Sequence, residues 1–336
     1  MIIGKNKISN NSKVFIIAEV GINHGGKLKD CIKLVKKAKD SGADAVKLQL
    51  IDANSSYQKN TQSFKEFSKA VLSKEDLLKI KKYAERLNIF LFATPGDFKS
   101  LNLISKLNLK AIKISSGLLT NIPLIKSAAK LKLPIILSAG MAYENEIFQA
   151  IKTIKKISNK GVAVLKCTSV YPARDSILNL SSILEYKKRF KIPVGYSDHS
   201  LGIEACLAAV SLGAKIIEKH FTINKKRRGA DHHLSLEPKE FKNMVKIIRK
   251  IERMLGNSKI YPSTKEISAR SKYHRYLVAN GDISAGEKIS IRNIAIKRLS
   301  KFKKGSLQPI FTDKLVGKVA KKNISNDQKL TLGLFK

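Results

Sequence analysis

Cysteine is scarce in this chain of 336 residues: Cys31, Cys167 and Cys206 form no CxxC pair and leave an odd count. That excludes a disulfide framework and a cysteine-built zinc site, and suits a reduced, cytoplasmic protein. Long apolar runs are missing as well. No stretch reaches the roughly 18 residues that span a bilayer; even PLIKSAAKLKLPIILSAGM is broken by lysines, so no membrane partner is expected. The opening MIIGKNKISNNSK lacks the apolar segment of a secretory signal. Acidic residues are few, 26 against 65 lysines and arginines, for a formal charge of +39. Such an excess raises the question of nucleic acid. The lysines, however, are spread over helix-like segments such as KLVKKAKD and KTIKKISNK. The last 66 residues carry 15 basic and 4 acidic residues without an arginine-rich arm, zinc finger or recognition helix. No nucleic-acid partner is expected; lysines on solvated faces that help attract anionic substrates are the simpler account.

What the chain does contain is alternation. Hydrophobic residues make up 43% of it, enough for a buried core. From residue 14 to 256, eight short β-branched or apolar runs read as strands: 14–22, 45–50, 90–95, 111–117, 134–140, 162–172, 192–199 and 215–221. Longer stretches with helical spacing separate them, such as KEDLLKIKKYAERLN (74–88) and NEIFQAIKTIKKIS (145–158). PKEFKNMVKIIRKIERMLG (238–256) has Pro early and Gly at its end, as a helix should. Eight strand–helix units in a row predict an α/β fold, a (β/α)8 TIM barrel, over residues 1–256. A doubly wound open sheet would use fewer strands, and no GxGxxG turn is present. A linker follows at 257–274. The last segment, 275–336, has short apolar runs divided by the turn signals NGD and SAGE and predicts a small β-rich module.

Strand after strand begins apolar and ends in chemistry: Glu19, Lys47 with Gln49, Thr94, Ser115 with Ser116, Ser138, Thr168 with Tyr171, Ser197-Asp198-His199, and Glu218 with His220. In a barrel these C-terminal ends open on one face, where active sites of the fold are built. One such residue is ordinarily a satisfied structural group; eight strands together predict an enzyme.

Histidine numbers six in all, and His199 and His220 end the seventh and eighth runs. They are either a hydrogen-bonded pair or two ligands to one divalent cation, with Asp198 or Glu218 orienting the rings. The run GADHHLS adds Asp231, His232 and His233 over the same mouth. A mixed nitrogen and oxygen shell suits Mn2+ or Mg2+. Lys47 and Lys113 lie within strands, where an unpaired charge is expensive. With hydroxyls from Thr94, Ser116 and Ser197 they make a site for a phosphate and a carboxylate. Lys166 is instead a candidate Schiff-base lysine, as in a metal-free pyruvate aldolase. Glu19 is either a general base or the salt-bridge partner of a strand lysine. His24, in GINHGG, fits a tight loop over the mouth.

In order and with matching spacing, IIAEVGINHGG, GADAVKLQ, ATP, IKISSG, LSAGM, KCTSVYP, GYSDHS, EKHF and DHHLSLEP resemble the sialic acid synthases. These are phosphoenolpyruvate-condensing enzymes that make N-acetylneuraminate and related nonulosonates. The resemblance covers about residues 13 to 330. The segments ISAGEKISIRNIAIKR and LVGKVAKKNI resemble the family's C-terminal antifreeze-like (SAF) domain; an ice-binding role for that module alone is made implausible by the barrel. The resemblance implies a homodimer in which this domain reaches over the partner's site. It assigns His199 and His220 as metal ligands for Mn2+ or Mg2+. It assigns Lys47, Thr94, Lys113, Ser116 and Ser197 to phosphoenolpyruvate, and Glu19 to the attacking water. Gln49, Tyr171, Asp231 and Arg298 fall on the sugar site, the last meeting the N-acyl group. The implied acceptor is an open-chain N-acylated aminohexose.

The pattern departs from the family at three places. ATPG and SGL replace STPF and SGE, placing Gly96 and Leu118 where the family has phenylalanine and a sugar-side glutamate, and Leu299 follows the arginine in place of proline. The phosphoenolpyruvate and metal half stays intact; the acceptor is expected to be N-acetylmannosamine or a diacetamido-trideoxy analogue. Two other classes stay open: a synthase making a different 2-keto-3-deoxy sugar acid, and a non-catalytic sugar-binding protein. A phosphorylated acceptor would need a basic pocket, which Lys225, Lys226, Arg227 and Arg228 either supply or leave as a solvated loop.

Overall fold

The computed structural model describes residues 1–300 and 305–336 and divides into two compact units, Met1–Gly256 and Asn257–Lys336. Eight parallel strands close the first into a barrel: β1 (Phe15–Gly21), β2 (Ala45–Leu50), β3 (Phe90–Pro95), β4 (Ile112–Ile114), β5 (Ile135–Ser138), β6 (Val162–Cys167), β7 (Val194–Asp198) and β8 (Ile216–His220), with β8 pairing back onto β1. The TIM-barrel expectation holds. Three strands end two or more residues sooner than their apolar runs. After β4 the chain enters a 3-10 turn at Ser116–Leu118, after β5 it leaves the sheet at Ser138, and after β6 the segment carrying Thr168 and Tyr171 is a loop.

Each helix is set by its own signals. In Lys74–Arg86 the Ser73 hydroxyl accepts from Asp76 N, acidic residues fill the first turn, and Leu77, Ile80 and Ala84 bury one stripe against the barrel. In Pro238–Leu255, Pro238 opens the first turn, Glu240 accepts from Glu237 N, and Gly256 ends the helix at φ +54°.

Because strand side chains alternate, each strand supplies one set to the helices and one to the lumen. The lower lumen holds Phe15, Ile17, Ala45, Phe92, Ala111, Ile136, Ala163, Leu165 and Ile216. A short antiparallel hairpin, Ile2–Ile3 with Asn6–Lys7, adds Ile3 and Ile8 to that cluster and stoppers the barrel from below. Its Gly4 (φ +55°) packs on Phe90, where a Cβ would stand 2.0 Å from the ring. The apolar plug leaves only the upper lumen for chemistry.

The second unit has a two-stranded antiparallel sheet, β9 (Tyr276–Ala279) with β10 (Ile294–Lys297), and isolated bridges elsewhere such as Ile283 to Ile324. Leu277, Ile283, Ile289, Leu315, Ile324, Leu330 and Phe335 form its own core. Part of the segment read as a linker is helical: Thr264–Tyr273 is capped by Ser263, whose hydroxyl accepts from Glu266 N while Glu266 accepts from Ser263 N. No helix among the described residues is long and apolar enough to cross a membrane.

Candidate active site

Above the plug, the inward set turns polar on every strand. Glu19, Lys47, Gln49, Thr94, Lys113, Ser138, Cys167, Ser197, Glu218 and His220 share this phase, and His199 continues it just past β7. Glu218 is the hub. Its carboxylate accepts from Lys113 Nζ at 3.0 Å and from Ser197 Oγ at 2.9 Å, and Lys47 Nζ lies 3.1 Å away. Lys47 also lies 3.3 Å from Glu19, whose other oxygen accepts from Gln49 Nε2 at 2.8 Å.

Two lysines buried to 3% and 1% exposure therefore share one glutamate and lean on a second. The carboxylates respond in opposite ways. Burial raises the Glu218 pKa, but Lys113 and Lys47 outweigh it and hold the group well below the carboxylate range. For Glu19 burial dominates over Lys47, and its pKa is pushed up to about 7. Burial works against the charge of Lys47, yet Glu19 and Glu218 raise its pKa overall; for Lys113 burial prevails and the shift is downward. Thr94 Oγ1 and Ser138 Oγ, both buried, find no hydrogen-bond partner among the described residues, as expected of groups placed for a ligand. Ser116 lies just past β4, its Oγ accepting from Gly140 N at 3.0 Å.

The two strand-end histidines face each other at 5.4 Å between ring centroids. His199 Nδ1 lies 2.9 Å from the Thr168 carbonyl, which requires the proton on Nδ1; burial lowers the ring's pKa, but Cys167 and that carbonyl outweigh it and raise it, so a cation would take Nε2 in exchange for its proton. His220 Nδ1 is buried without a hydrogen-bond partner among the described residues, 3.6 Å from Asp231 Oδ2. Burial, helped by His199 and Lys47, holds the His220 pKa well below the ordinary value, so the ring is neutral. A neutral imidazole with an orphaned nitrogen, beside one whose tautomer is set by a carbonyl, fits a divalent cation. Among the described residues no group of three His, Cys, Asp or Glu side chains could hold a metal ion. The protein's share would be the two imidazoles.

Gln49, Tyr171 and Asp231 stand at the same mouth. The Tyr171 ring packs 4.1 Å from His199 and 6.3 Å from His220. Gly21, at φ +53°, lets Glu19, Gln49 and Asp231 close in: a Cβ there would lie 3.3 to 3.6 Å from each. Arg298 belongs to the second unit, its guanidinium 5.6 Å over the Tyr273 ring. A cavity of about 320 Å³ reaches Gln49 and His24 and is walled by apolar residues such as Ile51, Phe67 and Leu72 and by polar ones such as Asp52, Asn54 and Lys99. Gly96 is where Ile51 takes up space: a Cβ at Gly96 would meet that side chain at 2.6 to 2.9 Å.

Several readings need correction. Neither Asp198 nor Glu218 bonds a histidine ring. Asp198 has the outward phase and pairs with Lys219, while Glu218 serves the lysines. Lys166 is also out of phase, paired in register with Tyr196, its Nζ donating to the Cys167 carbonyl and Thr168 Oγ1; it is no Schiff-base lysine of the lumen. In DHH only Asp231 reaches the site, since His232 Nδ1 bonds Thr222 Oγ1 at 2.7 Å and His233 is exposed. Lys225 and Arg227 are held by Glu240 and Asp30. Ser138 and Glu218 should have joined the candidate set, and the two-residue phase of their strands would have placed them there.

The family model described as NeuB family matches residues 34–260, and that of the SAF domain matches 274–335. An N,N'-diacetyllegionaminic acid synthase of Campylobacter jejuni is 39% identical over 332 residues, covering 94% of this chain and 98% of that one. A pseudaminic acid synthase of the same species is 34% identical over 97% of each chain. The crystal structure of an N-acetylneuraminic acid synthetase from Leptospira borgpetersenii serovar Hardjo-bovis, in complex with citrate, superposes with a TM-score of 0.78 at 37% identity, covering 81% of this chain and 96% of that one. With its polar barrel mouth and its C-terminal SAF domain, the chain belongs to the NeuB family and is a transferase of the nonulosonic acid synthase type.

Proposed function

We propose that this enzyme condenses phosphoenolpyruvate with an open-chain N-acylated aminohexose and releases inorganic phosphate. The observation that carries the reading is the floor of the mouth, where Lys47 and Lys113 sit buried around Glu218 beneath the hydroxyls of Thr94 and Ser138, which find no partner among the described residues. Such a floor favours a small, highly charged anion, whose arrival would oppose the burial that lowers the Lys113 pKa. Lys47, Thr94, Lys113, Ser116, Ser138 and Ser197 would hold the phosphate and carboxylate of phosphoenolpyruvate.

His199 and His220 would hold a divalent cation, Mn2+ or Mg2+. Bound there, it supplies Lewis-acid polarisation of the acceptor's aldehyde. The phosphoenolpyruvate methylene forms the new carbon–carbon bond to that aldehyde carbon, and positive charge develops at the enolpyruvyl carbon. Water adds to this carbon and gives its proton to Glu19, whose pKa near 7 suits the exchange. The bond from that carbon to the phosphate oxygen then breaks, and phosphate leaves with the bridging oxygen. Gln49 fixes Glu19 through its 2.8 Å hydrogen bond, while Tyr171 and Asp231 line the sugar side.

For the acceptor we favour a diacetamido-trideoxy hexose over N-acetylmannosamine. Leu118 offers no polar contact to a hydroxyl, and the cavity beside Gln49, whose wall mixes Ile51, Phe67 and Leu72 with Asp52, Asn54 and Lys99, gives room and polar contacts for an acyl group. A phosphorylated acceptor is less well served, with Lys225 and Arg227 already paired. Exposed Met141, Tyr143, Val170 and Leu201 around the mouth support a homodimer in which the partner's SAF domain covers it and brings Arg298 to the sugar. Three free, buried thiols support work in a reducing cytoplasm.

The test is phosphate release from phosphoenolpyruvate and Mn2+ with each sugar, with chelator and His220→Ala controls. Release that requires both sugar and metal supports the reading. Folded protein that binds metal but releases nothing with any acceptor overturns it.

A further inference from the structure

Behind the two histidines, on the outer face of the barrel wall, lies a second charged cluster that touches no part of the mouth. Asp198 and Lys219 are paired in register on β7 and β8, both side chains at 0% exposure, with Lys219 Nζ 2.6 Å from Asp198 Oδ2. Lys219 Nζ also donates to the Ser200 carbonyl at 2.5 Å. Asp198 Oδ1 accepts from Ser200 N at 2.9 Å, Ser200 Oγ at 2.7 Å and Tyr196 OH at 3.1 Å, and Cys206 Sγ, on the helix Glu204–Ser211, lies 3.4 Å from Oδ2.

A buried ion pair is a poor source of stability, because desolvation consumes most of its Coulomb energy and apolar side chains of like volume do as well. What five converging donors supply is direction. They leave Asp198 one rotamer and fasten the turn 198–200 from the strand, the turn itself and the neighbouring strand. His199 is the middle residue of that turn, and His220 follows Lys219. With side chains alternating along a strand, locking Asp198 and Lys219 outward aims His199 and His220 inward.

We infer that Asp198 and Lys219 are a positioning pair that sets the spacing of His199 and His220 for the divalent cation. The inference rests on the metal reading above. Neither residue contacts the cation or substrate; each acts through its neighbour on the strand, as outer groups commonly do at metal sites.

Mn2+ affinity, read from the paramagnetic resonance of the free ion, tests it on full-length protein. The variants are Asp198→Asn, the neutral double variant Asp198→Asn/Lys219→Gln, and the milder Ser200→Ala should the others fold poorly. Leu34→Ala, a core truncation in the helix Leu28–Asp40, serves as a remote destabilised control. Expected is Mn2+ binding weaker by roughly 10- to 100-fold in the first two and by several-fold in Ser200→Ala. The control should lose thermal stability with unchanged affinity, and Lys219→Arg should retain most of it. Variants that melt earlier yet bind Mn2+ within about twofold of wild type would reduce the pair to packing and overturn the inference. A wild-type protein that binds no Mn2+ overturns the metal reading, and this inference with it.

Discussion

Glu218 stands between two buried lysines, and Glu218→Gln keeps its shape while removing the charge that Lys113 meets at 3.0 Å and Lys47 at 3.1 Å. At an effective dielectric of about 20, each such pair carries roughly 5 kcal/mol of Coulomb energy, much of it offset by burial of the ions. With the partner gone, only the weaker pull of Glu19 opposes the burial of Lys113, whereas Lys47 keeps Glu19 at 3.3 Å. Lys113 then sheds its proton. Holding a lysine neutral at a pH roughly 3 units below its ordinary pKa costs about 4 kcal/mol, at about 1.4 kcal/mol per unit. That limit agrees with the roughly 3–5 kcal/mol lost when one member of a buried pair is removed. The pH dependence has a definite sign. Burial already lowers the Lys113 pKa, with Glu218 opposing it. A lysine whose pKa is depressed by folding binds fewer protons folded than unfolded, so stability rises with pH toward the unfolded pKa. Glu218→Gln should therefore lose roughly 3–4 kcal/mol at neutral pH and regain about 1.4 kcal/mol per pH unit above it. Urea unfolding over a pH series measures both. Phosphoenolpyruvate should protect the variant more than the wild type, since it returns negative charge beside Lys113. A variant as stable as wild type at neutral pH, or a deficit that does not shrink as pH rises, would refute Glu218 as the counter-ion that keeps Lys113 charged.

Glu19→Gln should lower kcat by roughly 10²- to 10⁴-fold with little change in the KM for phosphoenolpyruvate. Glu19 accepts a proton only as the carboxylate, so wild-type activity should rise with pH through about 7 and the variant should lose that limb; an unmoved limb in the pH profile assigns it to another group. Leu118, half-buried against the core, stands where the resemblance puts a sugar-side glutamate. Leu118→Glu should shift kcat/KM toward N-acetylmannosamine by about tenfold relative to a diacetamido hexose; steady-state kinetics with both sugars decide, and an unchanged ratio removes Leu118 from specificity. Gly195→Ala would place a Cβ 2.4 Å from the Ile216 carbonyl and 2.5 Å from Leu165, and denaturant unfolding should show a loss of roughly 1–3 kcal/mol.

The barrel was legible because its signals are local. Apolar runs of strand length, helical periodicity between them and a capped closing helix each lie within about twenty residues. The mouth was legible only in outline. Collecting polar residues at strand ends finds Glu19, Lys47, Thr94, Lys113 and both histidines, but it ignores phase. Ser197, Asp198 and His199 sit side by side in the chain, yet only the first and third face the lumen; likewise Glu218 and His220 face in while Lys219 faces out. Counting by two from any lumen residue separates the sets and would have withdrawn Lys166 and Asp198 and added Ser138. The partnership at Glu218 is of a different kind. Lys47, Lys113 and Glu218 lie on strands far apart in sequence, and only barrel closure makes one carboxylate the neighbour of both lysines. No spacing rule encodes that contact. A chain that buries two lysines in its lumen must nonetheless bring a carboxylate to them or leave them for an anion. Of the acidic side chains with inward phase on the barrel strands, Glu19 and Glu218 are the two that reach those lysines. Phase and charge balance together thus lead to the floor of the candidate site, and the hydroxyls above it that find no partner among the described residues are where the proposed anion would sit.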